Sequence, residues 1–321
     1  MQSLQEIAEV IKGLKSAVIF THTRPDGDCL GSGLALYFAL KQLNIPCEIC
    51  NDSDIPDKFS FVFGISEIKK TPTMDADGYI CVDSADEKRL GCLEEALQRA
   101  MRNKKITVNI DHHISNTKYA KYNFVRAMSS NCQNMTELMS LLGVTIDERI
   151  ATPLFMGMLT DSGGFSHSDV NGDTFRAAGR VVDAGVNVDA VNYNLFKRQS
   201  KARAALYGET MFKIRYLLDD RLAVICITRE MLQKYGAEQS MTEGFVDFPL
   251  TVEGVEVAAA ILENKFRQYK ISLRSKGRVN VNAIASAYGG GGHLLASGCM
   301  IFGDLEEVVD KLRYTVSQYL D

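Results

Sequence analysis

Residues that could bind metal ions are concentrated in four short stretches of this 321-residue chain. The first stretch, Thr21 to Ser32, contains one histidine and two aspartates close together. A single aspartate there would be explained as the cap of the following helix, but two aspartates beside a histidine indicate a site for divalent cations. The complete set of candidates is His22, Asp26, Asp28, Asp83, His112, His113 and Asp161, with Asp111 directly before the two adjacent histidines.

Each of these stretches follows an apolar run, and most of the runs are typical of a buried strand. The runs cover residues 17–20, 77–82, 105–108 and 150–159. Helix-like segments alternate with them, and this alternation predicts a largely parallel α/β sheet. Because open parallel sheets present ligands at the carboxyl ends of their strands, we expect four strand ends to bring the candidates to one edge. That donor set exceeds the needs of one ion and suits two divalent cations that share a bridging carboxylate.

Composition and charge restrict the class of protein and its partners. A net charge of −4 argues against a long duplex as partner, and the opening residues show no signal-peptide pattern. We therefore expect a cytoplasmic protein without a membrane partner. Eight cysteines in so long a chain do not form a disulfide framework, and Cys47 and Cys50 lack the second pair that a zinc site needs. The cysteines are interpreted as reduced and mostly buried thiols.

The length predicts two domains. We place the first at residues 1–190, a polar and basic linker at 191–210, and the second domain at 211–321. Within the second domain, the segment from Lys265 to Arg278 contains six basic residues and no acidic one. Four glycines, Gly289 to Gly292, then precede His293 and a helix-like segment. Backbone N–H groups at a helix N-terminus bind anions, so this loop is interpreted as a phosphate-binding loop.

With these motifs in their order, the chain resembles the DHH phosphoesterase superfamily. The closest resemblance is to its two-domain NrnA-like branch, nucleases and phosphatases that act on nanoRNA and on 3′-phosphoadenosine 5′-phosphate. The motifs that match are H-x-x-x-D-x-D at 22–28, the strand-terminal Asp83, D-H-H at 111–113, T-D-S-G at 160–163 and G-G-G-H-x-x-A-S-G at 290–298. One departure is the segment 129–137, where relatives have a compact Ser-Thr-x-x-Glu helix start.

The resemblance implies a fold, a set of ligands and a role for each residue. The expected architecture is an N-terminal parallel sheet flanked by helices, a smaller C-terminal α/β domain, and an active site in the cleft between them. His22, Asp26 and Asp83 would hold one manganese ion, and Asp28, Asp83, His112 and Asp161 a second, with cobalt or magnesium as alternatives. His113 would contact the scissile phosphate and Asp111 would orient the histidine pair. The rest of the nucleotide would bind through Arg274, Gly290, Gly291, Gly292 and His293.

The expected activity is manganese-dependent hydrolysis of short single-stranded RNA, removal of the 3′-phosphate of 3′-phosphoadenosine 5′-phosphate, or both. A cyclic or linear dinucleotide phosphodiesterase of the same superfamily would use the same ligands. An inorganic pyrophosphatase would share the first-domain motifs but not the glycine-rich loop. A non-catalytic nucleotide-binding regulator is the alternative from another class. The sequence is compatible with a homodimer but does not determine the oligomeric state.

Overall fold

The structure is a computed structural model that describes residues 2–320. It divides into two compact units, with the boundary between Arg198 and Gln199. Within the described range, no helix is both long enough and apolar enough to cross a membrane. The α-helices are α1 Leu4–Lys12, α2 Gly27–Gln42, α3 Leu93–Arg102, α4 Asn131–Leu142, α5 Glu148–Asp161, α6 Gly172–Asp183, α7 Val188–Asn192, α8 Lys201–Phe212, α9 Arg229–Tyr235, α10 Val281–Ser286 and α11 Leu305–Ser317. The strands are β1 Ala17–Phe20, β2 Cys47–Cys50, β3 Ile68–Lys69, β4 Gly78–Val82, β5 Ile106–Asp111, β6 Tyr122–Val125, β7 Arg215–Leu217, β8 Leu222–Ile227, β9 Val257–Lys265, β10 Gln268–Ser275, β11 Gly291–Gly292 and β12 Ala296–Phe302.

The first unit contains a six-stranded sheet in which every neighbouring pair is parallel, in the order β3-β2-β1-β4-β5-β6. Successive side chains of a strand point to opposite faces, so Ile19 packs in a core with α2, α4 and α5, whereas Val18 and Phe20 pack in a second core with α3. Both faces of the sheet are therefore covered, as parallel sheets require. The predicted α/β class with a parallel N-terminal sheet is confirmed.

The second unit also contains a six-stranded sheet, but its strands are mixed in direction. Its order is β11-β12-β10-β9-β8-β7, and only β8 and β9 run parallel to each other. Helices α10 and α11 share a core with one face, and α8 and α9 share a core with the other face at β8 and β9. This smaller α/β unit confirms the predicted class of the C-terminal part.

Helices occupy most of the segment 191–210 that was predicted as a linker. The end of α7 continues into a π-helical turn at Tyr193–Lys197, and α8 begins at Lys201. The boundary between the units lies between that turn and α8. Helix α2 begins at Gly27, directly after Asp26, whose side chain caps it.

Candidate metal centre

The loop after β1 brings two of the predicted ligands, His22 and Asp26, together. His22 is buried, and its Nδ1 atom lies 2.9 Å from the carbonyl oxygen of Thr23. The other ring nitrogen, Nε2, lies 3.6 Å from the Asp26 carboxylate. The other carboxylate oxygen of Asp26 accepts a hydrogen bond from the amide of Cys29 and so caps helix α2. One aspartate therefore serves as helix cap and as candidate ligand.

Asp83 lies between the two groups of predicted ligands. It follows β4 in a left-handed conformation, with a φ of 54°, and its amide donates to the carbonyl of Ile110. One carboxylate oxygen lies 3.5 Å from Nε2 of His22, and the other lies 3.3 Å from Nε2 of His112. A non-glycine residue in this backbone region costs free energy and is often associated with function. The position of Asp83 suits a bridging carboxylate.

His112 presents its Nε2 atom to three carboxylates. Its Nδ1 atom lies 2.9 Å from the carbonyl of Met128, so the backbone sets the ring orientation. Nε2 lies 3.3, 3.6 and 3.8 Å from oxygens of Asp83, Asp161 and Asp28. The ring nitrogen that is not held by the backbone thus faces the predicted second metal site, as ligand histidines generally do.

His113 is oriented by a different partner. Its Nδ1 lies 2.8 Å from a carboxylate oxygen of Asp111, and the second oxygen of Asp111 accepts a bond of 2.6 Å from the Asn116 side chain. Burial alone would raise the pKa of the Asp111 carboxyl, but the bonds from His113 and Asn116 outweigh it and lower that pKa. Asp111 was predicted to orient the histidine pair. It hydrogen-bonds to His113, whereas His112 is oriented by Met128.

Asp161 reaches the cluster from the end of a helix, so the prediction of a fourth strand end is wrong. The apolar run 150–159 forms α5, which is buried along most of its length. Gly31 of α2 packs against this helix, and a Cβ atom at Gly31 would overlap the carbonyl oxygen of Pro153. This close contact between the helices places Asp161 near Asp28, and the charge of Asp161 contributes to the raised pKa of Asp28.

Two helix amides hold Asp28 in place. The backbone N–H groups of Asn131 and Cys132, at the start of α4, donate to its two carboxylate oxygens at 2.5 and 2.9 Å. These donors come from the segment 129–137 that departs from the family pattern. The departure therefore retains a helix N-terminus that binds the carboxylate. Gln133 in the same segment is also buried, and its Nε2 atom has no hydrogen-bond partner in the described structure.

The donor set fits divalent cations. In the described part of the chain, Nε2 of His22 and Oδ1 of Asp83 are buried without a hydrogen-bond partner, although buried polar atoms are normally paired. Three groups have ligand atoms within 4.8 Å of one another: His22 with Cys29 and Asp83, Asp83 with His112 and His113, and Asp28 with His112 and Asp161. Asp83 belongs to two of these groups. Oxygen and imidazole donors in this arrangement are typical of divalent metal sites.

Crowding of carboxylates shifts their protonation equilibria in the metal-free protein. Burial raises the pKa of Asp28 well above its usual value, and the charges of Asp83 and Asp161 raise it further. Burial and the charge of Asp83 likewise raise the pKa of Asp161 to about 6. Burial would lower the pKa of His112, but Asp83 and Asp28 overcome this and raise it to about 10. The cluster is therefore an environment that favours positive charge.

Arg89 is a candidate functional residue that is not among the predicted site residues. Its Nη1 atom lies 3.4 Å from Nε2 of His113, and its carbonyl accepts a bond of 2.7 Å from the amide of Thr23. Asp86 caps the turn Glu87–Leu90 by accepting from the Arg89 amide. No carboxylate in residues 2–320 forms an ion pair with the Arg89 guanidinium. The only available signal was its spacing of six residues after Asp83.

The predicted substrate-binding residues of the second unit lie on and beside its sheet. Arg274 is on β10 and forms an ion pair of 3.2 Å with Asp247. The helix expected after the glycines is absent from the described structure, because residues 291–292 form β11 and pair with β12. A Cβ atom at Gly290 would overlap the carbonyl of Gly298, so close strand contact explains that glycine. His293 is exposed, and its amide donates to the carbonyl of Ala296.

Comparisons with known proteins agree with this arrangement. Residues 16–158 match the DHH family, N-terminal domain, and residues 220–321 match the DHHA1 domain. The chain is 28% identical to the bifunctional oligoribonuclease and PAP phosphatase NrnA of Thermus thermophilus, over 99% of this chain and 95% of that protein. The protein of the same name from Bacillus subtilis is 24% identical, over 92% and 93% of the two chains. An exopolyphosphatase-related protein from Bacteroides fragilis has a similar structure, with a TM-score of 0.86, 25% identity, and coverage of 98% and 96%. The chain therefore belongs to the DHH phosphoesterase superfamily, in its NrnA-like two-domain branch.

Proposed function

We propose that this protein is a metal-dependent phosphoesterase that hydrolyses short oligoribonucleotides and removes the 3′-phosphate of 3′-phosphoadenosine 5′-phosphate. The observation that carries the proposal is Asp83, whose two carboxylate oxygens each face the Nε2 atom of a different histidine. Both activities are named for the relatives from Thermus thermophilus and Bacillus subtilis. The formal charge of −4 supports a short substrate, since a long duplex calls for many cationic contacts.

The residues would hold two divalent cations, for which we propose manganese. His22, Asp26 and Asp83 would bind one, and Asp28, Asp83, His112 and Asp161 the other. Mixed imidazole and carboxylate donors suit manganese, with cobalt and magnesium as alternatives. Bound cations of this kind supply an activated water near neutral pH and stabilise the charge of an in-line displacement at phosphorus.

The side chains next to the cluster would position the phosphate. The Asp111 carboxylate fixes the ring of His113 through Nδ1, so Nε2 faces Arg89 at the edge of the cluster. The Arg89 guanidinium offers further donors, and arginine matches phosphate geometry with two parallel hydrogen bonds. We propose that His113 and Arg89 together contact the oxygens of the scissile phosphate.

The regulator alternative predicts binding without turnover, and the dinucleotide alternative predicts a different substrate. An oligoribonuclease and a dinucleotide phosphodiesterase would use the same metal ligands, so only the substrates that are turned over distinguish these two hypotheses. All the predicted ligands of the first unit lie in one cluster, which supports a catalytic protein over a regulator that has lost its chemistry.

A product time course tests the proposal. The purified protein with manganese would be given di-, tri- and pentanucleotide RNAs, a much longer RNA, 3′-phosphoadenosine 5′-phosphate and cyclic dinucleotides. We expect rapid release of mononucleotides from the short RNAs, phosphate release from the bisphosphate, and slow digestion of the long RNA. Turnover of cyclic dinucleotides alone would identify the protein as a dinucleotide phosphodiesterase. Binding of nucleotides without any turnover would favour a non-catalytic regulator.

The variant Asp83→Asn tests the role of the central carboxylate. Asparagine tolerates the left-handed backbone of this position, so the fold should remain while the bridging charge is lost. We expect turnover to fall by more than about a hundredfold. The amount of bound metal, measured by elemental analysis, should also fall. Asp169→Asn, on an exposed loop, is the matched control. Full activity of Asp83→Asn would contradict the assignment of both cations.

A further inference from the structure

A cavity of about 530 Å³ in the first unit is lined by residues of helices α4 and α6 and of the loop after β6. We call it the α4–α6 cavity. The charged residues that line it are Arg126, Glu137, Asp173, Arg176 and Arg180. The lining therefore carries an excess of positive charge, although the whole chain has a formal net charge of −4.

Two of the arginines are held by their neighbours but keep donors for a ligand. Arg126 donates from Nε to Asn134 at 2.9 Å and from Nη2 to Glu137 at 2.6 Å. Its Nη1 group has no hydrogen-bond partner in the described structure. Arg180 donates from Nη2 to the Ser140 hydroxyl of α4, and within residues 2–320 no carboxylate forms an ion pair with it. The cavity thus has one pre-oriented guanidinium and one that lacks a counter-charge.

A buried amide that lines the same cavity lacks a partner. Gln133 is only 3% exposed, and its Oε1 atom accepts a hydrogen bond of 2.6 Å from the Ser129 hydroxyl. That bond fixes the amide, yet its Nε2 atom has no partner in the part of the chain that the structure describes. Buried donors are normally paired, and an unpaired one is explained by a bound molecule or ion. An unpaired donor beside three guanidinium groups indicates a site for an anion.

The type of anion follows from the arrangement of the donors. Arg126 belongs to the loop after β6, whereas Arg176 and Arg180 are four residues apart and so lie on one face of α6. Arg176 is paired with Asp173 at 2.7 Å. A carboxylate has two oxygens in one plane, but a phosphate group has at least three and can accept from donors on several sides at once. Guanidinium groups also match phosphate with two parallel hydrogen bonds, so the donors favour phosphate.

We propose that the α4–α6 cavity binds a phosphate group through Arg126, Arg180 and the amide of Gln133. The group is that of the inorganic ion or of a small phosphomonoester, and a volume of about 530 Å³ is in the range of small-molecule sites. None of the predicted metal ligands lines the cavity. Binding of phosphate here therefore does not depend on the function proposed above.

The cavity is connected to the metal centre through the segment 126–128. The Arg126 amide donates to the Asp111 carbonyl at 3.1 Å, and the Met128 carbonyl lies 2.9 Å from Nδ1 of His112. Arg126 and Met128 also line the cavity. A phosphate bound to Arg126 thus contacts the segment that orients a predicted metal ligand. Because the phosphate and the cation have opposite charges, we expect each to strengthen binding of the other.

Nuclear magnetic resonance of the full, isotope-labelled chain in a chelator tests the site. The side-chain amide signal of Gln133 is assigned from its proximity to Ser129 and confirmed by its absence from Gln133→Met. We expect this signal to shift when inorganic phosphate or ribose 5-phosphate is added, and to stay in place when acetate is added. The tighter of the two phosphate compounds identifies the ligand as the free ion or as a phosphomonoester.

A pair of arginine variants tests the contribution of α6. Arg180→Ala should weaken phosphate binding about tenfold, because a charged hydrogen bond is lost, and the fold should remain because Arg180 is exposed. Arg99→Ala, at an exposed arginine of α3 in the same unit, is the matched control and should leave the affinity unchanged. Equal affinities in the two variants would overturn the site. So would a Gln133 signal that ignores phosphate or that responds equally to acetate.

The connection to the metal centre is tested by repeating the phosphate titration with magnesium in place of the chelator. Magnesium is diamagnetic, so the Gln133 signal remains observable. We expect phosphate to bind about fivefold more tightly in the unsubstituted protein, and no change in Asp83→Asn, which lacks the central carboxylate. Equal responses of the two proteins would overturn the connection. Phosphate binding without hydrolysis of RNA would refute the proposed function alone, whereas hydrolysis of RNA with an unresponsive Gln133 signal would refute this site alone.

Discussion

Replacing Asp161 by asparagine should stabilise the metal-free protein while it removes metal-dependent function. Asp161 lies 3.6 Å from His112, in a cluster that also contains Asp83 and Asp28. Burial and the charge of Asp83 raise its pKa from 3.8 to about 6. Such a shift means that ionised Asp161 opposes folding when no cation is present.

The size and pH range of this effect follow from the shift. A rise of this size in the pKa corresponds to about 3 kcal/mol. Because the Asp161 side chain is 34% exposed, solvent screening reduces the expected gain in the free energy of unfolding to about 1–2 kcal/mol. The folded-state pKa lies above the unfolded one, so the protonated form is favoured by folding. The destabilisation is therefore absent below about pH 4, grows between about pH 4 and 6, and is complete above that.

Thermal unfolding in a chelator provides the assay. At about pH 7.5 we expect the midpoint of the first unit to rise by about 3–6 °C in Asp161→Asn, and the gain to vanish near pH 4. Manganese should reverse the order. An ion that binds only the folded state stabilises it more the more tightly it binds, and the variant has lost one of the side chains that would hold the ion. The chain has no tryptophan, so calorimetry or circular dichroism is the suitable probe.

The control and the refuting results are defined by the same scans. Asp169→Asn removes an exposed aspartate of the loop after α5, so its midpoint should match that of the unsubstituted protein with and without manganese. An unchanged or lower midpoint for Asp161→Asn in chelator would refute the reasoning from carboxylate crowding. A gain that persisted at pH 4 would show that the effect does not come from ionisation of Asp161.

Two further substitutions test contacts around the cluster. Arg89→Ala should lower kcat/KM about 10–100-fold with unchanged metal content, since a charged donor to the phosphate is lost. The control Lys88→Ala, at an exposed lysine, should leave the kinetics unchanged. Equal kinetics for the two variants would exclude a phosphate contact by Arg89. Gly31→Ala should destabilise the first unit by about 1–3 kcal/mol in chemical denaturation, because the added methyl group would overlap the Pro153 carbonyl and separate α2 from α5. Gly179→Ala is the control, since a Cβ atom at Gly179 would lie in open space.

The parallel sheet and its ligand-bearing strand ends could be predicted from the sequence because the signals are local. His22, Asp83 and His112 each follow a short apolar run, and the parallel arrangement of β1, β4 and β5 then brings the three strand ends together. The same logic failed for Asp161. A fully buried helix such as α5 lacks the polar face that produces helical periodicity, so its apolar run resembles a strand.

The glycine-rich loop shows a second limit of local interpretation. A run of glycines before His293 is compatible with a helix N-terminus and with a tight strand connection, and only the pairing of β11 with β12 decides between them. Two further contacts could not be predicted from the sequence: the orientation of His112 by the Met128 carbonyl and the binding of Asp28 by two backbone amides. Backbone groups carry no residue identity, so sequence patterns cannot report them.

The wide separation of the ligands along the chain has a kinetic consequence. They come from the loop after β1, the ends of β4 and β5, and the end of α5, so the cluster spans residues 22 to 161. A chain must close large loops before these groups meet, and contacts of that kind form late in folding. A cation that needs the completed cluster therefore stabilises interactions absent from the transition state. We therefore expect such an ion to slow unfolding and to leave the rate of refolding nearly unchanged, so that it increases the kinetic stability of the folded first unit.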